Sequence, residues 1–361
     1  MPKHRDWNLS SFLNATNPDL VERYVLRFFR RDELPPYLVG MNPDYVLHVL
    51  GQIKDPLRAV ITEDFHRIND VCYKDLPFRA AQRFGIPVQP YEKSHTTALK
   101  LFLDQPRAFE FAWALYSFAA AYASTSQHWL QGHETRADSG TIANFKKELQ
   151  CFFAAQARGA HCRVYVFDHP DDTVILMLHG TPVRTVAFWQ GSDIMTNPFR
   201  FACDDVLIYD KARAILSVKV SARGDREHYV RSFAAFFLGD GALADDPARD
   251  RIYTLEPLQT RPSDWVGNDI VSAVELRRAK LKPRGSSSEV RTVEGDGLPL
   301  SEVDQRRGEL TEVKLRVTIV TDGGEDKVTF TITPPCVTDL VKKRHAEVIA
   351  TYLREKGVLL R

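Results

Sequence analysis

Apolar residues recur with a helical period up to about residue 158 and follow a strand-like pattern from Cys162 onward. The densest apolar stretch of the first part, residues 109–123, has the length and spacing of a central core helix. After Cys162, short runs rich in β-branched residues are separated by turn clusters such as Asp-His-Pro-Asp-Asp at 168–172. This order of patterns predicts an α+β fold: a helical N-terminal domain, then a mixed α+β region, then a C-terminal β-hairpin plus helix.

The chain has 361 residues, which at about 150 residues per domain allows two or three domains. We expect a helical domain over 1–158, a mixed α+β domain over 159–265 and a β-hairpin/helix region over 266–361. Residues 282–308 contain Gly-Ser-Ser-Ser, many charges and few apolar side chains, which predicts a flexible polar insertion.

The C-terminal region contains the clearest hairpin pattern. Residues 312–320 and 327–333 alternate apolar with polar side chains, and Asp322-Gly323-Gly324 provides the turn between them. We expect Thr338 to begin the last helix, because threonine caps helix N-termini well.

Membrane insertion and disulfide scaffolds are not expected. Residues 109–123 are shorter than the roughly 20 apolar residues that a membrane span needs. The polar start at 1–10 lacks an apolar signal region, so we expect a cytoplasmic protein without a membrane partner. The five cysteines are scattered and form no CxxC pair, which argues against a disulfide framework and a zinc ribbon.

Common catalytic motifs are missing from the sequence. It contains no Gly-Lys pair for a phosphate-binding loop and no GxGxxG for a dinucleotide. GxSxG and HExxH are also missing, which excludes the common hydrolase elbow and the helical zinc-protease motif. We therefore expect that side chains able to make or break bonds do not converge in this chain.

One motif leaves a catalytic alternative open. Glu312-Val313-Lys314 is an ExK pattern in a predicted strand, so Glu312 and Lys314 share one face. In metal-dependent nucleases such an acid binds Mg²⁺ with a second carboxylate, and the lysine positions water or phosphate. Asp296 or Asp304 is the candidate second carboxylate, and Mg²⁺ would be the cofactor only in this case. The alternation alone favours the simpler interpretation, in which Lys314, Arg316 and Thr318 form the solvated face of a hairpin.

Histidines elsewhere have ordinary structural interpretations. His128 and His133 are five residues apart, which does not suit metal binding on one helical face, so we expect them to end the aromatic helix. Asp168 and His179 belong to one predicted hairpin and would make an acid/base pair, but turn chemistry explains such acids better. His161 and Cys162 are adjacent on a strand and point to opposite faces, which favours a buried core cysteine.

Basic clusters provide the main indication of a partner. The net charge is only +1, so any attraction for nucleic acid must be local. Lys342, Lys343 and Arg344 are expected in the first turns of the last helix, where they would contact DNA phosphates beside the hairpin. A second candidate surface is one face of an N-terminal helix, formed by Arg23, Arg27, Arg30 and Arg31. A solvated face, or an internal acidic partner, remains the alternative for each cluster.

Four segments resemble segments of a family of bacterial proteins of similar size, and the resemblance implies no activity and no catalytic residue. They are residues 101–112, 206–218, 226–240 and 252–258. The absent catalytic motifs and the basic clusters predict a non-catalytic binding or regulatory component of a bacterial multi-protein system acting on nucleic acid, with phage defence as one such setting. It would have a protein partner, with DNA as a further candidate. A Mg²⁺-dependent nuclease and a protein-binding scaffold are the alternatives.

Overall fold

The computed structural model describes residues 8–28, 46, 57–120, 125–131, 134–190, 193–265, 267–283, 290–298, 303 and 308–361. The chain separates into two compact units, Met1–Ala120 and Ala121–Arg361. The expected boundaries after residues 158 and 265 remain predictions, but strands from both sides of residue 265 belong to one sheet.

The described part of the first unit is helical. Asn17 caps its second helix, because the Asn17 side chain accepts a hydrogen bond from the backbone amide of Asp19 at 2.8 Å. The apolar segment near residue 110 forms a helix whose Phe109, Trp113 and Tyr116 are buried, which confirms a core helix. The helices of this unit are α1 Leu9–Asn14, α2 Pro18–Val25, α3 Leu57–Val71, α4 Leu76–Arg83, α5 Ser94–Asp104 and α6 Pro106–Ala120.

The second unit is built on an antiparallel sheet in which the order of the strands differs from their order in the sequence. Its strands are β1 Thr125–Trp129, β2 Cys162–Asp168, β3 Asp172–Gly180, β4 Arg184–Gln190, β5 Asp193–Phe199, β6 Ala202–Asp210, β7 Ile215–Lys219, β8 Val271–Lys282, β9 Arg291–Leu298, β10 Glu309–Thr321, β11 Gly324–Thr333 and β12 Val337–Thr338. Ten of these described strands form one sheet in the order β2-β3-β6-β7-β1-β12-β11-β10-β8-β9, and β4 pairs with β5 in a separate ribbon. Together with the helices this is an α+β fold.

Helices cover the apolar faces of this sheet. α7 (Ser139–Ala155) and α8 (Arg226–Phe237) pack on the β2, β3, β6 and β7 half, where Phe145, Phe153 and Phe233 are fully buried. A second core cluster includes residues of β8, β10 and β11 together with α9 (Glu256–Thr260) and α10 (Ala346–Glu355). Such burial of aromatic side chains contributes about 1.5–3 kcal/mol for each ring.

Three local expectations are wrong. His128 lies in β1 and does not end a helix. The last helix begins at Ala346, because Thr338 belongs to β12 and caps only the short 3₁₀ turn Leu340–Lys342, and His345 then adopts a left-handed conformation with φ of 58°. Residues 291–298 of the expected insertion form β9, since Val293 and Leu298 pack against the core.

None of the helices in the described ranges is long and apolar enough to cross a membrane. The most apolar of them, α6, has 15 residues and is a core helix of the first unit.

Candidate anion-binding pocket

A cavity of about 750 Å³ lies where β2 begins, β3 ends and β6 begins. Three arginines and two histidines contribute to its wall, and no acidic side chain does. The lining residues are Arg158, Gly159, His161, Cys162, Arg163, Leu178, His179, Gly180, Arg200, Phe201 and Ala202. Carboxylates behind the wall pair with Arg158 and His179, so the attraction for anions comes mainly from Arg163 and Arg200.

Three of the basic side chains face solvent. His161 and Arg163 are separated by one residue at the beginning of β2 and therefore lie on the same side of this edge strand. Arg200 follows β5, and all three residues are exposed. Within the described ranges no hydrogen bond or ion pair engages these three side chains. They are available to an incoming ligand.

Cys162 lies between His161 and Arg163 but is buried. Its thiol points to the carbonyl of Lys146 in α7 at 3.8 Å, and burial raises its pKa. The prediction of a buried core cysteine is confirmed.

Two glycines leave room for the Arg200 side chain. A Cβ at Gly180 would lie 2.6 Å from Cδ of Arg200 and 2.5 Å from the carbonyl oxygen of Arg158. A Cβ at Gly159 would collide with the Arg200 guanidinium, and the φ of +83° at this position disfavours any other residue. The backbone of the pocket is therefore shaped around Arg200.

The buried side of the pocket is formed by Arg158 and His179. Arg158 is 4% exposed, and its Nη1 donates to Oδ2 of Asp225 at 2.5 Å while its Nε donates to the carbonyl of Gly180 at 3.2 Å. The Phe153 ring of α7 stacks on the His179 imidazole with a centroid distance of 4.3 Å. These contacts hold both basic groups in place before any ligand arrives.

His179 is paired with a buried carboxylate. Its Nε2 donates to Oδ2 of Asp205 at 2.8 Å, and the hydroxyl of Tyr229 donates to the same oxygen at 2.7 Å. Burial lowers the pKa of His179, but the hydrogen bonds and charges of Asp205 and Cys203 outweigh it and raise the pKa to about 10. Burial would raise the pKa of Asp205, but His179 and Tyr229 hold it below its ordinary value.

A protonated His179 also balances the charges of the surrounding cluster. Lys219 Nζ lies 3.5 Å from Oδ2 of Asp204, and Arg158 pairs with Asp225. With the imidazolium included, three positive groups oppose three carboxylates in this buried region. The six residues are Arg158, His179, Lys219, Asp204, Asp205 and Asp225.

Cys203, His179 and Asp205 form a thiol–imidazole–carboxylate arrangement. Cys203 lies opposite His179 across β3 and β6, with Sγ 3.3 Å from Nδ1. The expectation that such side chains do not converge is wrong at this point. Cys203 is 6% exposed and is not part of the cavity lining, so the arrangement acts on the pocket by setting the charge of His179.

The predicted nuclease residues are not brought to one metal position. Glu312 on β10 accepts from Arg278 Nη2 at 2.8 Å and from Lys280 Nζ at 3.0 Å. Asp296 on β9 pairs with Arg277, and β8 separates β9 from β10, which places these strands about 9.6 Å apart. Lys314 is half-buried on β10, and Asp304 lies outside the described residues.

The predicted basic cluster near the last helix is largely engaged by acids. Lys343 pairs with Asp339 at 2.9 Å, and Arg344 pairs with Asp326 at 3.1 Å. Lys342 lies in the 3₁₀ turn, where burial lowers its pKa to about 8.

The predicted N-terminal arginine surface is partly engaged as well. Arg23 Nη2 donates to Oδ1 of Asp104 at 2.5 Å, which is the internal acidic partner given above as the alternative. The Arg27 guanidinium lies over the Phe102 ring at 5.7 Å. Arg30 and Arg31 lie outside the described residues.

Sequence reasoning missed Arg158, Arg200 and the pairing of His179 with Asp205. The acid/base pair of Asp168 and His179, which the sequence left as the weaker alternative, is not formed, because Asp168 lies at the opposite end of the β2–β3 hairpin and pairs with Lys211 at 2.8 Å. The available signal was the alternation of Cys203 and Asp205 at the start of an otherwise apolar strand. That signal becomes meaningful only when β6 is known to pair with β3.

A comparison of the chain with models of known protein families finds no match, and a comparison with curated proteins finds none either.

Proposed function

We propose that this protein is a non-catalytic nucleic-acid-binding component of a larger bacterial assembly, and that the pocket binds a backbone phosphate. The observation that carries this proposal is a cavity of about 750 Å³ lined by three arginines and two histidines without an acid. Arginine suits this role because its planar guanidinium donates two parallel hydrogen bonds to phosphate oxygens.

The aromatic residues beside the pocket favour a single-stranded ligand. Phe201 lines the cavity and is 45% exposed, and Phe199 two residues earlier is 44% exposed. Proteins that bind single strands combine cations along the backbone with aromatic rings on which bases stack. An unpaired base on Phe201 would leave its neighbouring phosphate within reach of Arg200, whereas the stacked bases of a duplex are not free to do this.

The two basic clusters predicted from the sequence are weaker candidates for the main contact. Asp326, Asp339 and Asp104 engage their cations internally, so a phosphate would have to replace an existing ion pair. In the pocket, by contrast, Arg163 and Arg200 exchange only water for phosphate. The pocket should therefore contribute the larger part of the affinity for nucleic acid.

Fluorescence anisotropy with labelled oligonucleotides of about 16 nucleotides tests this proposal. We expect single-stranded DNA or RNA to bind more tightly than duplex, and Arg163→Glu or Arg200→Glu to weaken binding at least about tenfold. Phe201→Ala should weaken it by a similar factor, because stacking contributes about 1–3 kcal/mol per base.

Arg291→Glu is the matched control. Arg291 is exposed on β9, at the opposite end of the ten-stranded sheet from β2, and the substitution changes the net charge equally. Equal losses in Arg291→Glu and Arg200→Glu would mean that only the overall charge matters. If the pocket variants bind as tightly as the wild type and Lys342→Glu loses binding, the nucleic-acid site is the C-terminal basic cluster and not the pocket.

A further inference from the structure

A second group of chemically active side chains lies outside the pocket. His128 on β1, Asp250 after the 3₁₀ turn Gly241–Asp245, and Cys336 before β12 each offer one donor atom, and these atoms lie within 4.8 Å of one another. His128 and Cys336 are buried, whereas the Asp250 side chain is 31% exposed. Imidazole nitrogen, carboxylate oxygen and thiolate sulfur are the three donor types found in protein zinc sites.

Backbone hydrogen bonds hold the three contributing segments together. The amide of Gln127 donates to the carbonyl of Cys336 at 2.8 Å, and the amide of Trp129 donates to the carbonyl of Arg249 at 2.7 Å. The amide of Ile252 donates to the carbonyl of Pro335 at 3.1 Å. The three donor residues are thus placed by backbone geometry that does not depend on their side chains, as a preorganised metal site requires.

The side chains have hydrogen bonds compatible with metal binding. His128 Nε2 lies 2.9 Å from Oγ of Ser126, which fixes the ring and leaves Nδ1 directed at Asp250 Oδ1 at 2.6 Å. Metal-binding histidines commonly use the second ring nitrogen in this way. Cys336 is a free cysteine, and in the part of the chain that the structure describes its Sγ makes no hydrogen bond.

We propose that His128 Nδ1, a carboxylate oxygen of Asp250 and Cys336 Sγ bind a Zn²⁺ ion. Around a tetrahedral ion these atoms would lie about 3.3–3.6 Å apart, so each needs to shift by roughly 1 Å or less. The thiolate and the carboxylate neutralise the two charges of the ion. Arg249, 3.2 Å from Asp250 Oδ1, has its charge offset by Glu227.

The sulfur and nitrogen donors select the metal class. Mg²⁺ and Ca²⁺ prefer sets of oxygen ligands, whereas zinc accepts a mixed set of sulfur, nitrogen and oxygen. With three protein ligands, water would complete the tetrahedral coordination, as in other zinc sites that keep an open position. The ion would link β1 to the segments that contain Asp250 and Cys336, both of which are distant from β1 in the sequence.

Titration of the full-length, chelator-treated protein with Co²⁺ and then Zn²⁺ tests the proposal. Cobalt bound to a thiolate gives a charge-transfer absorption band, so the wild type should show this band with one ion per chain, and Zn²⁺ should displace it. Cys336→Ser should abolish the band. Asp250→Asn should retain the band but weaken metal affinity at least about tenfold.

Cys151→Ser is the control for the thiol, because Cys151 is exposed on α7 and should leave the band unchanged. Circular dichroism establishes whether each variant is folded. If Cys336→Ser does not fold, Asp250→Asn still tests the proposal, because the Asp250 side chain is partly exposed. Absence of a thiolate band in the wild type would overturn the proposal. Equal metal affinity in Asp250→Asn and the wild type would overturn it as well.

Discussion

His179 links the pocket to the buried charge cluster behind it. It lines the cavity on one side and contacts Asp205 and Cys203 on the other, and only 3% of the residue is exposed. Because the hydrogen bonds and charges of Asp205 and Cys203 outweigh burial and raise its pKa to about 10, His179 is protonated at neutral pH and offsets the charge of Asp205. An exposed histidine, with an ordinary pKa of about 6.5, would be mostly neutral there.

The raised pKa of His179 predicts a specific dependence of stability on pH. The folded-state pKa lies above the unfolded value, so the stabilisation is complete below about pH 6.5 and is lost as pH rises towards about 10. Relative to His179→Gln, the free energy of unfolding of the wild type should fall by up to about 1.4 kcal/mol per pH unit in this window. Urea unfolding at a series of pH values measures it. The control is His161→Gln, an exposed histidine, and a constant difference between wild type and His179→Gln would contradict the account.

Gly159 lies against the Arg200 side chain and can be tested by substitution. Gly159→Ala places a side chain at a positive φ and against Arg200, so we expect a loss of about 1–3 kcal/mol in unfolding free energy. Oligonucleotide affinity should fall as well, because Arg200 must move. Gly224→Ala is the matched control, since its Cβ would meet no atom within 4 Å and its φ needs no glycine. If the two alanine variants behave alike, the pocket is not shaped around Arg200.

The contacts of Glu312 in the ExK motif predict that the protein does not cleave DNA in the presence of Mg²⁺. Glu312 is engaged by Arg278 and Lys280, and Asp296 pairs with Arg277, so neither carboxylate is free for Mg²⁺. Supercoiled plasmid incubated with the protein and Mg²⁺ should stay intact, in the wild type and in Glu312→Ala alike. Nicking by the wild type that disappears in Glu312→Ala would instead support the nuclease alternative.

At the scale of elements, regular alternation was predictable and pairing between distant strands was not. The hairpin expected over 312–320 and 327–333 is present as β10 and β11, because its alternation and its glycine turn are both local signals. β1 has only five residues, and its partners β7 and β12 lie far away in sequence, so nothing local marks it as a strand. β9 was missed because edge pairing with β8 compensates for its low apolar content.

The β4–β5 ribbon should be separable from the rest of the fold. Among the described strands, β4 and β5 pair only with each other, and Gly180 lies opposite Ala202 where β3 meets β6. Replacing residues 182–200 by an Asn-Gly turn should therefore preserve a cooperative thermal transition, while nucleic-acid binding is lost together with Arg200. Loss of the thermal transition would show that the ribbon is part of the folding unit.

At the scale of the whole molecule, the α+β class was predictable from the change of hydrophobic period at Cys162. The pocket was not, because its residues come from the end of α7, two strand ends and the residues after the ribbon. None of these positions carries a recognisable binding motif in its own segment of the sequence. The basic clusters that the sequence made conspicuous are the ones whose cations the fold engages with Asp104, Asp326 and Asp339.

The salt dependence of single-strand binding tests the central claim, that pocket cations hold backbone phosphate, most directly. For single strands the logarithm of the binding constant falls with the logarithm of salt concentration by about 0.7 for each phosphate neutralised. Removing both exposed arginines in Arg163→Ala/Arg200→Ala should therefore reduce the slope by about 1.4, while Arg291→Ala leaves it unchanged. A double variant with the wild-type slope would contradict the assignment of phosphate binding to this pocket.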